Sequence, residues 1–134
     1  MSDETVLVME RPHPAICVLR LNRPDRRNEL NKDLLRLLHR TLATIAEDSS
    51  QRIVILTDAG KAFCAGMYVM TARAREPKEL LPAVRLAHQQ LFAGVAKRIR
   101  ALPKPVIAAF NGPAAGAALG MALAADIRIA AQAA

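Results

Sequence analysis

KPVIAAFNGPAAGAALGMALAAD, residues 104–126, is the stretch on which the reading of the whole chain turns. Pro103 and Pro105 flank Lys104 and end any helix that precedes them. Val106 to Phe110 is a short apolar run and reads as a buried strand. Asn111-Gly112-Pro113 is turn chemistry. From Gly116 to Ala125 nearly every residue is small or apolar. That is the pattern of a buried helix, and glycine and alanine let another backbone or a ligand come close. The free amides of a helix's first turn point outward and favour negative charge. A strand feeding such a helix start suits an oxyanion hole, where amides meet charge formed during a reaction. Tight helix–sheet packing without a ligand would select the same residues, and this stretch alone leaves both readings open.

Working outward, a helical region runs from Lys78 to Leu102, with Leu80, Leu81, Val84, Leu91, Val95, Ile99 and Leu102 as its apolar face. Pro82 fits its first turn, and Arg98 and Arg100 suit the negative end of its dipole. On the other side of the central stretch, Ile127 to Ala130 reads as a strand. Further upstream, IVILT (Ile53–Thr57) is a continuous run, mostly β-branched, of the kind buried on both faces of a sheet. Asp58 to Lys61 turns the chain, and Phe63 to Tyr68 follows, with Gly66 able to take unusual backbone angles. Asn31 caps a helix to about Asp48. Leu34, Leu35, Leu38, Leu42 and Ile45 fall on one face of it. His39 lies beside that stripe, partly exposed, and is read as structural. Val6 to Met9 and Ala15 to Leu21 are strands joined by the turn-like Arg11-Pro12-His13-Pro14. The order is β-β-α-β-α-β-α-β, an α/β arrangement with a strand pair at its start.

Composition narrows the classes. The 134 residues are 52% hydrophobic but only 3% aromatic, so the core is aliphatic. Net charge is +7 and the pI is near 10.3, which suits an anionic partner such as a phosphorylated ligand. The basic residues are scattered, and little aromatic surface is present for bases to stack on, which argues against nucleic acid. Two cysteines, Cys17 and Cys64, form neither a disulfide framework nor a metal motif. Cys64 has no nearby histidine to activate it as a nucleophile. No run reaches the roughly 18 apolar residues of a membrane span, and the polar start Met1-Ser2-Asp3-Glu4 is no secretory signal. A reduced, cytoplasmic setting is expected.

Three segments together carry a family resemblance: LNRPDRRNEL (Leu21–Leu30), IVILTDAGKAFCAG (Ile53–Gly66) and IRALPKPVIAAFNGPAAGAALGMALAADIRIA (Ile99–Ala130). In that order and spacing, the chain resembles the N-terminal half of the crotonase superfamily, the enoyl-CoA hydratase/isomerase fold. The resemblance implies an α/β fold of repeated β-β-α units, with residues 1–134 the N-terminal part of one acyl-CoA-binding domain. It implies an acyl-CoA thioester as partner and no cofactor beyond the coenzyme A of the substrate. It implies assembly as trimers or hexamers in the full-length form. The family stabilises an enolate or related oxyanion with two backbone amides. By position these are the amides of Met67 and Ala117. Arg27, Ala65, Gly66, Tyr68 and Gly116 would lie around the coenzyme A moiety.

The departures from the family pattern shape the expected chemistry. Hydratases of the family use two glutamates. The first falls where this chain has Gly120, and the second lies past Ala134. The acidic residue often found after the AG pair of the first oxyanion loop is Tyr68 here. CAGMY, Cys64 to Tyr68, resembles the CAGFY loop of 4-chlorobenzoyl-CoA dehalogenases, yet the histidine of those enzymes is replaced by Ala93. The expectation is an acyl-CoA enzyme closer to an isomerase than to a true hydratase. The alternatives are a dehalogenase-like or thioester-hydrolysing relative, and a non-catalytic acyl-CoA- or RNA-binding subunit.

Overall fold

A computed structural model describes residues 6–66 and 81–134. Its frame is a five-stranded sheet whose strands lie side by side in chain order. They are β1 (Leu7–His13), β2 (Ile16–Leu21), β3 (Ile53–Asp58), β4 (Val106–Phe110) and β5 (Ile127–Ala130). β1 and β2 are antiparallel, and every later pairing is parallel. Parallel neighbours need a crossover between them. Helices α1 (Lys32–Glu47), α2 (Pro82–Ala101) and α3 (Ala117–Leu123) lie in those crossovers. The α/β architecture matches the expectation.

Helix α1 starts where the sequence says it should, with Asn31 Oδ1 accepting from the Leu34 amide at 2.9 Å. Leu34, Leu35, Leu38, Leu42 and Ile45 are all buried. They join Leu19, Leu21, Val54, Leu56, Val106 and Ala108 in one aliphatic core, each large side chain contributing roughly 1.5–3 kcal/mol. At the far end of α1, Lys104 Nζ donates to the carbonyls of Ile45 and Asp48. A helix leaves its last carbonyls without partners, so Lys104 of the central stretch caps α1 from a distant part of the chain.

Three elements differ from the sequence reading. First, β1 continues through His13 instead of turning at Arg11. Pairing holds from Leu7↔Leu21 to Glu10↔Val18, slips, and resumes at His13↔Ile16. Arg20 grips Glu10 across the pair at 3.0 Å, and Pro12 sits on an edge strand, where a missing N–H is tolerated. Second, β3 is not buried on both faces. Val54, Leu56 and Asp58 are buried, while Ile53, Ile55 and Thr57 are only half-covered among the described residues. Third, the first half of α2 is not core. Leu81, Val84 and Leu86 are exposed, and burial begins at Phe92 and continues with Val95 and Ile99.

Candidate active site

The loops leaving the carboxyl ends of β2, β3 and β4 converge, the place where parallel α/β sheets bind ligands. The first loop makes a short 3-10 turn at Pro24–Arg26 and then places Arg27 and Asn28 in the left-handed region, at φ 50° and 54°. Asparagine tolerates that region better than most residues. Asn28 is fully buried. Its Oδ1 accepts from the Arg23 amide at 2.7 Å, and its Nδ2 donates to the carbonyls of Ala59 (2.7 Å) and Ala62 (2.9 Å). One side chain thus ties the first loop to the second. Backbone bonds extend the seam, with Ala65 N donating to Arg27 O at 2.9 Å and Leu30 N to Gly66 O at 2.8 Å.

The second loop is joined to the third in the same way. Phe63 N donates to Pro113 O, and Ala115 N to Cys64 O, both at 3.1 Å. Cys64 and Ala114 form a parallel bridge. Phe63 is fully buried and meets Phe110 of β4 edge-on, with centroids 4.6 Å apart. At Gly112 any Cβ would lie 2.1 Å from Lys61 O, so only glycine fits.

Gly66 and Gly116 are where the two oxyanion candidates begin. Gly66 has φ 84°, and a Cβ on it would stand 2.6 Å from Ala115 O and 3.7 Å from Ala117 N. The second loop therefore reaches the amide that opens α3. Ala117 N donates to no acceptor among the described residues. Gly116, at φ 56° and ψ −127°, turns the chain into α3 with an angle that L side chains rarely adopt. Among the described residues nothing lies within 4 Å of its missing Cβ. Close approach requires glycine at Gly66, while Gly116 is needed for its backbone angle.

Two buried titratable groups border the cluster. Asp58, at the end of β3, is 2% exposed. Its Oδ2 accepts from the Asn111 amide at 3.4 Å, and its Oδ1 has no partner among the described residues. Burial pushes this carboxyl up to about 6. Burial likewise pushes the Cys64 thiol up to about 11. Its proton is engaged on Asn28 O at 2.9 Å, and a protonated, buried thiol is no nucleophile.

Of the residues singled out from sequence, Ala65, Gly66, Gly116 and Ala117 come together here, and Arg27 stands on the same seam with its side chain exposed. Met67 and Tyr68 lie outside the described residues. Gly120 is exposed on α3, with nothing described within 4 Å of its missing Cβ. Ala93 is exposed on α2. The sequence reading missed Asn28 and Asp58. The signal for Asn28 was a polar residue closing a turn of arginines. Asp58 was marked only as a turn former. Among the described residues no three His, Cys, Asp or Glu side chains gather as a metal site, and no helix is long and apolar enough to cross a membrane.

The enoyl-CoA hydratase/isomerase family model matches residues 11–134, and the chain belongs to that family. It is 42% identical over 127 residues to the probable enoyl-CoA hydratase echA12 of Mycobacterium leprae, covering 93% of this chain and 43% of that protein. It is 35% identical over 127 residues to the 1,2-epoxyphenylacetyl-CoA isomerase of Escherichia coli, covering 95% and 48%. The crystal structure of enoyl-CoA hydratase from Bacillus anthracis superposes with a TM-score of 0.87 at 36% identity, over 96% of this chain and 48% of that one. A monofunctional enoyl-CoA isomerase from M. smegmatis gives a TM-score of 0.76 at 34% identity, over 96% and 51%. The chain spans about half the length of the curated relatives it matches.

Proposed function

We propose that the whole protein acts on acyl-CoA thioesters, holding the thioester oxygen between the amides of Met67 and Ala117 as an enolate forms. The observation that carries this reading is the approach of Gly66, the residue before Met67, to the Ala117 amide, which has no acceptor among the described residues. Backbone donors fixed before the reaction stabilise developing charge without reorganising. Arg27, exposed on the same seam, would meet phosphates of coenzyme A. The exposed Leu119, Leu123, Ile127 and Ile129 support burial against further protein, either another segment of a longer chain or the neighbour in a trimer or hexamer.

The reaction proposed is closer to isomerisation than to hydration. Gly120 has no side chain to hold a water or pass a proton, and losing one general acid or base typically costs about 10²–10⁴-fold. The test is crotonyl-CoA hydration and 3-enoyl-CoA isomerisation by the full-length protein and its Gly120→Glu variant. Open space around Gly120 among the described residues lets that variant be built without displacing a described neighbour. Isomerisation with weak hydration, and a gain of hydration in Gly120→Glu, is the expected result. Robust hydration by the unmodified protein overturns the assignment.

A further inference from the structure

We propose that the groove between α1 and α2 binds a small molecule through a diphosphate group. The groove is open, with a volume of about 750 Å³, and among the described residues it is lined by Arg36, Arg40 and Arg98 with a single acidic side chain, Asp33, together with His39 and Gln90. That volume falls within the range of small-molecule sites and is far larger than a bare phosphate needs. None of the described residues of the three strand-end loops contributes to it.

The arginines are not a loose surface collection. Arg98 Nε donates to His39 Nδ1 at 2.8 Å. A guanidinium only donates, so Nδ1 is the acceptor, and His39 Nε2 carries the proton that it gives to Leu91 O at 3.0 Å. The ring is held at both ends, and it fixes the plane of Arg98 while the terminal nitrogens have no acceptor among the described residues. Gly94 makes room for this. A Cβ there would lie 2.7 Å from His39 Cε1, and glycine is otherwise a poor choice inside a helix. His39, Gly94 and Arg98 thus form one orienting device across two helices.

A planar guanidinium fixed in this way suits bidentate contact with phosphate oxygens. Arg36 Nη1 sits 3.4 Å from Asp33 Oδ1, but the two side chains are 63% and 82% exposed. Such a pair is weak in water and yields readily to a multiply charged anion. The net charge of +7 adds long-range attraction.

The test is calorimetric titration of the purified protein with inorganic pyrophosphate and with ADP, at low and raised salt, with histidine ring NMR signals followed in parallel. Both ligands should bind, more weakly as salt rises, and both should shift the His39 signals. Arg98→Ala and Arg36→Ala should each weaken binding by at least about tenfold. Gly94→Ala keeps every charge but unseats His39, so it should weaken binding by an intermediate amount. Arg98→Gln, at an exposed position, keeps a polar side chain without the charge and should behave like Arg98→Ala with an unchanged melting temperature. No heat at millimolar pyrophosphate overturns the proposal. So does binding that survives Arg98→Ala and Arg36→Ala but is lost in Arg27→Ala, which would place the anion at the loops.

Discussion

The α1–α2 layer and the loop cluster at the strand ends are held together by different means. Between the helices and the sheet, aliphatic side chains do the work. Leu34, Leu35, Leu38, Leu42 and Ile45 of α1 share a core with Val95 and Ile99 of α2. In the loop cluster, backbone meets backbone. Amides and carbonyls of residues 63–66 bond to those of the flanking loops, and the main side-chain contribution is one buried asparagine. The helical layer tolerates exchange among apolar residues of similar volume. The loop cluster depends on a few positions where a side chain is absent, or where one makes several bonds.

The largest effect that would sharpen this contrast lies in the helical layer. Leu38→Ala should cost about 2–5 kcal/mol, the usual penalty for a buried cavity, while Leu38→Met should cost under about 1.5 kcal/mol. Urea denaturation of both variants decides it, and equal losses would show that shape matters as much here as in the loops. Asn28→Ala should come next, at about 2–3 kcal/mol, because it strands one amide and two carbonyls that no longer have a partner. The acyl-CoA turnover proposed for the whole protein should fall with it. A variant as stable as the parent would mean that backbone bonds alone hold the loops. Gly66→Ala should cost about 1–3 kcal/mol through backbone strain, with the added methyl driven against Ala115 O. Melting temperature and turnover should drop together, and loss of neither would break the comparison.

The last effect is read against pH and concerns Asp58. Its carboxyl is raised from an ordinary 3.8 to about 6, so between those values the folded state keeps a proton that the unfolded state has released. Stability should therefore decline as pH rises from about 4 to about 6 and level off above. Asp58→Asn should flatten that slope in melting curves taken across the interval. An unchanged slope would mean that Asp58 ionises normally, with water reaching Oδ1.

Most of the architecture was legible because its signals are local. Leucine spacing and the Asn31 cap mark α1, and the Pro103–Pro105 break and the Val106–Phe110 run mark β4. What escaped was set by neighbours far along the chain. The course of β1 past Arg11 depends on Arg20 reaching Glu10. The half-covered face of β3 depends on what lies above the sheet, which periodicity does not report. The exposed first half of α2 has the same apolar residues as a buried helix would. At the site, Gly66 and Gly116 were visible because glycine itself is the signal. Asn28 was not, since its partners Ala59 and Ala62 lie 31 and 34 residues away.

Lys104 has a consequence for the order in which the chain assembles. The carbonyl of Asp48 receives its lysine from 56 residues downstream. On a ribosome adding roughly 5–20 residues per second, that interval is on the order of 3–11 seconds. Throughout it, the end of α1 is solvated and free to fray, and β4, the parallel neighbour of β3, has not yet been made. The nascent helix is therefore finished from its front by Asn31 at once and from its back only when the signature stretch emerges. Closing such distant contacts is slow, so the same lysine that introduces residues 104–126 also times the completion of the first helix.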